Sequence, residues 1–285
     1  MAALNRGPTR AAVLAEQRDA STPSLGFIEQ VTTHTSSTGS RAQMLRKLNK
    51  SRRIRRMRHC VAAHADSTRD TLTQGGFRHY AAFVTLTYED VDGYRPEHVT
   101  AYLNSLRNWA HREGWKLHYE WVLELQKRGA PHYHLLIWIP EGKMIPKPDH
   151  GMWKHGHSQI ARARNGVGYL VKYATKGDNE VHPMPHGARL FGTGGDAAAR
   201  LARHRAGLPR WLVEKIAVGA RAKRIPFVGW MCEATGEIHR SPYVMRWRYD
   251  EHGNAVVDVI KYQAGETSFA KTPGRIGLLG RMQCT

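Results

Sequence analysis

Two strongly β-prone runs, LHYEWVLELQ (117–126) and HYHLLIWI (132–139), are separated only by KRGAP. A link that short, with Gly and Pro in it, reads as the turn of an antiparallel hairpin. A third run, HYAAFVTLTY (79–88), alternates along its length. It sets Phe83, Thr85 and Thr87 on one face and Val84, Leu86 and Tyr88 on the other. Between it and the hairpin, Pro96 opens a helix and Gly114 closes it. Val99, Leu103, Leu106 and Ala110 form that helix's apolar stripe. After the hairpin, residues 140–160 are loop-rich, with three prolines. NGVGYLVKYATKGD (165–178) then reads as a helix entered through Gly168 and ended at Gly177. The order strand, helix, strand, turn, strand, loop, helix predicts an α+β domain over 76–180, with a mainly antiparallel sheet and helices packed on it.

The flanks differ in character. Residues 1–40 are rich in Ser, Thr, Ala and Gly without helical or strand period, and read as a flexible tail. Residues 41–75 lack Gly and Pro until the last position and read as a basic segment of one or two helices, with Met44, Leu48, Met57 and Val61 as apolar points. Beyond 180, a Gly-rich FGTGG loop leads into a largely helical AAARLARHRAGLPRWLVEKIAVGARAKR. Short β-prone runs broken by Thr-Gly and His-Gly-Asn turns follow. Residues 181–285 are thus expected to be a small helical and β accessory region.

Charge narrows the partner. The 285 residues carry 43 Lys+Arg against 24 Asp+Glu, a net +19, which favours a polyanion. The cations concentrate at Arg46, Lys47, Lys50, Arg52, Arg53, Arg55, Arg56 and Arg58. A solvated helix face is one explanation. A run this dense and unbalanced by acid more often contacts DNA phosphates, with steep salt dependence. No stretch is long and apolar enough for a membrane span, and the N-terminus lacks a secretory pattern. Cys60, Cys232 and Cys284 are too few and scattered for a disulfide framework or a cysteine zinc site, so a reducing cytoplasm is expected and no membrane partner.

The hairpin also carries chemistry. His132 and His134 are two apart, so on a strand they leave one face. A turn around Arg128 sets Glu124 directly across from His132, at a Cβ separation of about 4.5–5.5 Å. Two imidazoles and a carboxylate could close on one cation and leave positions open for phosphate oxygens and water. With 17 histidines in the chain, chance pairs also arise, His155 and His157 among them, and a core or surface role stays open. In the later helix, Tyr169, Lys172, Tyr173 and Lys176 fall at i, i+3, i+4 and i+7, which would present two phenols to one side beside ammonium groups. Tyrosines packed in the core with snorkelling lysines explain the same pattern. A phenol, with a pKa of about 10, needs a metal or a base before it attacks a phosphodiester.

Three segments in this order resemble the rolling-circle replication initiators, the His-hydrophobic-His (HUH) endonucleases. FVTLTY resembles their first motif. PHYHLLIW resembles the metal-binding second motif, with Tyr133 as the bulky middle residue. YLVKYATK resembles the third motif in its two-tyrosine form, similar to initiators of single-stranded DNA bacteriophages. The resemblance covers about residues 80–178. It implies a five-stranded antiparallel sheet and Mg or Mn at His132 and His134, with Glu124 as third ligand. It further implies Tyr169 and Tyr173 as alternating nucleophiles, Lys172 near the phosphate and Lys176 on the DNA backbone. One tyrosine would nick the origin and hold the 5′ phosphate; the other would nick after synthesis, and the first link would reverse to close a circle. Relaxases place their tyrosine upstream of the metal motif, which the order here argues against. A single-strand transposase of the same superfamily is the second enzymatic reading, and a non-enzymatic basic DNA-binding protein is the third. No G-x-x-x-x-G-K-[ST] occurs, so no fused ATP-driven helicase is expected. The expected partners are then single-stranded and origin DNA in a bacterial host, with a host helicase and polymerase.

Overall fold

The computed structural model describes residues 41–176, 183–253 and 255–261. The expected tail at 1–40 lies outside the described residues. The chain divides into two compact units, Gln43–Ser241 and Met1–Ala42 with Pro242–Thr285.

The first unit is built on a five-stranded antiparallel sheet. Its strands are β1 (His79–Thr87), β2 (His118–Leu125), β3 (Pro131–Pro140), β4 (Ser158–Arg162) and β5 (Phe191–Gly194), in the order β4-β1-β3-β2-β5. The central β3 carries the H-x-H pair. β1 and β3 pair along their full length, from His79 against Pro140 to Thr87 against His132.

Period-2 alternation gives the sheet two apolar faces. One face (Val84, Leu86, Trp121, Leu123, Tyr133, Leu135, Ile137) is covered by α2 (His98–Arg112) through Val99, Tyr102, Leu103, Leu106 and Ala110. Each such aliphatic side chain contributes about 1.5–3 kcal/mol when fully buried. Ile145 and Trp153, from the loop after β3, join this core. The other face (Val122, Leu136, Trp138) is covered by α1 (Arg41–Gln74) through Met57, Val61 and Ala65, and by α3 (Gly166–Lys176) through Leu170. The basic segment is thus one helix of 34 residues.

A polar cluster joins α1 to the sheet. His64 Nδ1 donates to Glu120 Oε1 at 2.6 Å, and Trp138 Nε1 donates to Glu120 Oε2 at 3.0 Å. His64 and Glu120 are fully buried. A buried carboxylate is tolerated because both of its oxygens are bonded.

Three local expectations are corrected. The loop expected over 140–160 ends in β4, whose exposed, polar edge positions show no clear alternation. The FGTGG segment, expected as a loop, supplies β5, a four-residue edge strand. A Cβ at Gly192 would sit 2.5 Å from the Trp121 ring, and one at Gly194 2.4 Å from the Tyr119 ring. Glycine is there so that two aromatics can lie over the strand, not because the chain turns. The ARAKR end of the expected helix forms β6 (Ala222–Ile225) instead. It follows α4 (Ala197–Ala206) and α5 (Arg210–Val213) and pairs with β7 (Gly229–Cys232), which pairs with β8 (Ile238–His239). The second unit contains the antiparallel hairpin β9 (Tyr243–Tyr249) and β10 (Ala255–Lys261). Among the described residues no helix is long and apolar enough to cross a membrane.

Candidate functional site

The hairpin register places Glu124 opposite His132, as the turn around Arg128 required. Gly129 makes this turn with φ of 87°, and the Gln126 and Ala130 backbones close it with a 2.9 Å hydrogen bond. On the same face, His134 pairs across to Val122 on one side and Thr85 on the other. The two imidazole rings lie 4.4 Å apart.

Side-chain partners refine the picture drawn from register. Glu124 Oε2 accepts a hydrogen bond from His134 Nε2 at 3.0 Å, so the carboxylate engages its diagonal neighbour. Thr85 Oγ1 lies 3.4 Å from the other nitrogen, His134 Nδ1. Gln126 Nε2 stands 3.3 Å from His132 Nδ1, while His132 Nε2 is buried without a hydrogen-bond partner. Burial pushes the His132 pKa down to about 4; nearby His134 adds to the fall and Glu124 opposes it. At neutral pH His132 is therefore an uncharged imidazole with an unsatisfied ring nitrogen. Among the described residues no three His, Cys, Asp or Glu side chains already converge as a metal-holding group.

Helix α3 lies over this face. Asn165 starts it by accepting the Gly168 amide at 3.2 Å, so the helix begins two residues before Gly168. A Cβ at Gly166 would stand 2.2 Å from Leu136 Cδ1, so glycine permits the helix to approach β3 this closely. The Tyr173 ring stacks on His134 with centroids 3.8 Å apart. Tyr169, one turn earlier, is 54% exposed, and its ring lies 6.0 Å from that of Tyr173. Phe83 is the common neighbour, with its ring 5.4 Å from His134, 5.8 Å from Tyr169 and 5.7 Å from Tyr173. Lys172 is exposed, its Nζ 6.0 Å from the Tyr169 ring centroid.

The structure thus brings together Glu124, His132, His134, Tyr169, Lys172 and Tyr173. On α1, Arg46, Arg52, Arg53, Arg55, Arg56 and Arg58 are exposed and Lys50 is half-buried. The side chains of Lys47 and Lys176 lie outside the described residues. Sequence reasoning missed Gln126, Phe83 and Asn165. The alternation of β1 does put Phe83 on the face of Thr85 and Thr87, but does not say which face the histidines share.

Residues 81–178 match the model of a family of replication-associated proteins, the ORF2 type. The match runs from β1 to just beyond α3 and contains all six clustered residues. Neither a curated protein nor a solved structure matches the chain. By this span the chain is similar to replication-associated proteins.

Proposed function

We propose that this protein starts DNA replication by nicking one strand through a tyrosine and later rejoining it. The observation that carries the reading is the stacking of Tyr173 on His134, which sets the two phenols of α3 on the face of the H-x-H hairpin. In the proposed step a tyrosine Oη forms a bond to phosphorus as the bond to the 3′ oxygen breaks. The departing oxygen gains a proton and becomes a 3′ hydroxyl, and the enzyme keeps the 5′ phosphate as a phosphotyrosine. Reversal by a free 3′ hydroxyl rejoins the strand without an outside energy source. Tyr169, the more exposed phenol, is open to a strand arriving from solvent. Tyr173 is placed for the second transfer. Lys172 brings positive charge to a phosphate at this helix.

The donor set fits a divalent cation, Mg or Mn. His132 offers a neutral, unpartnered nitrogen, and Glu124 and His134 would exchange their mutual hydrogen bond for it. A bound cation would polarise the non-bridging phosphate oxygens. The exposed arginines of α1 would add phosphate contacts that position the strand without reading its sequence. A host helicase and polymerase would supply unwinding and synthesis.

Single-stranded origin DNA incubated with the protein and Mn should yield an SDS-resistant protein–DNA adduct. EDTA or His132→Ala should abolish the adduct while leaving DNA binding largely intact. Adduct formation by His132→Ala in excess EDTA would refute the metal role. A protein that binds the DNA but never forms an adduct would be a binding protein only.

A further inference from the structure

The three-stranded sheet of β6, β7 and β8 takes no part in this site, yet its first hairpin is unusual. It turns through Ile225, Pro226, Phe227 and Val228, with the Val228 amide donating to the Ile225 carbonyl at 3.2 Å. Pro226 in the second place and φ of 62° in the third are the marks of a type II turn, whose third place ordinarily takes Gly or Asn. Here it holds Phe227, which alone among the described non-glycine residues has a positive φ. Its ring is fully exposed, and Val228 beside it is 42% exposed. Neither the turn nor the packing asks for an aromatic, so folding does not explain it.

The surroundings say what it suits. The hairpin is rooted in a small core where Ala222 and Cys232 are buried with Leu208, Leu212 and Ile216, so the tip is presented from a packed base. Lys223 and Arg224 on β6 are exposed, as is Arg240, whose Cα would lie 3.5 Å from a Cβ on Gly229 beside the tip. The nearby acids, Glu233 and Glu237, sit in the β7–β8 turn at the opposite end, where Arg221 pairs with Glu233 at 3.4 Å. The tip end therefore joins one flat aromatic to several cations. Unpaired bases between phosphates present the complement: a π face flanked by negative charge. An apolar tip of two side chains is small for a bilayer, and the cations disfavour an apolar protein groove.

We propose that the β6–β7 hairpin is a second single-stranded DNA contact, in which Phe227 stacks on an unpaired base while Lys223, Arg224 and Arg240 hold adjacent phosphates. The choice of DNA as ligand rests on the function proposed above. The test uses the full chain and a 20-nucleotide oligo(dT), with binding followed by fluorescence anisotropy across a salt series. Phe227→Gly suits the turn, so its thermal midpoint should equal or exceed that of the parent, while affinity for oligo(dT) falls at least about fivefold at every salt concentration. Its salt slope should not change. Phe227→Trp should keep the affinity. Lys223→Ala with Arg224→Ala should instead flatten the slope by about 0.7 for each phosphate that is no longer neutralised. Unchanged oligo(dT) affinity in Phe227→Gly would overturn the proposal, as would an equal loss of affinity for a fully paired duplex. The same holds if the variant loses only binding to anionic vesicles or self-association. Adduct formation by the parent chain is scored separately. An adduct with no Phe227 effect sinks the hairpin contact alone; a Phe227 effect without an adduct sinks the nicking chemistry alone.

Discussion

Five imidazoles, those of His98, His118, His132, His155 and His204, are held below the ordinary histidine pKa, with burial as the leading cause in each. The unfolded chain takes up protons between about pH 6.5 and 4 that these folded side chains refuse, so stability is lost as pH falls through that window. Glu120 works the other way: burial raises its carboxyl pKa, with His64 and Trp138 opposing, so the folded state gains from protonating it. Five histidines outweigh one carboxyl. The urea midpoint should therefore drop between pH 7 and pH 5; a midpoint that holds or rises toward pH 5 would show the imidazoles to be more solvated than this. At this scale, residue identity was legible in sequence but partnership was not. The H-x-H spacing and the short turn fix that Glu124 faces His132. That its carboxylate bonds His134 instead, and that Gln126 meets His132, depends on side-chain rotamers that packing selects.

At the scale of elements, the seat of α3 on the sheet decides whether its phenols meet the histidines. Gly166 sets that distance. Leu136, the side chain that a new Cβ would strike, is fully buried and has little room to move. Gly166→Ala should cost about 1–3 kcal/mol through overpacking. It should also slow adduct formation by up to about 10²-fold, because about 1 Å of misplacement matters at a reacting centre. Adding Leu136→Ala should recover part of the rate. Urea melts and single-turnover adduct kinetics measure both effects, and a fully active Gly166→Ala would mean the seat does not matter. The central strands and α2 were readable because their apolar spacing is strict. The edge strands β4 and β5 were not, being short and, in β5, glycine-bearing for the sake of Trp121 and Tyr119. The five-strand count came from the family resemblance rather than from periodicity.

For the whole molecule, positive charge and chemistry occupy different parts of one chain. The net +19 is concentrated in part along α1, whose apolar side covers the sheet face that carries the histidines. The stretch that matches replication-associated proteins ends just past α3, and the β6–β7 hairpin follows it. The account requires that one phosphate be handed between the phenols of α3, and the identity of the linked residue tests this most directly. Adducts made with Mn and single-stranded origin DNA should be digested and the DNA-bearing peptide sequenced by mass spectrometry. The account predicts linkage at Tyr169 or Tyr173, with linkage shifting to the remaining phenol when either is changed to Phe and vanishing when both are. A linkage at any other residue, or an adduct that survives the double substitution, would contradict it.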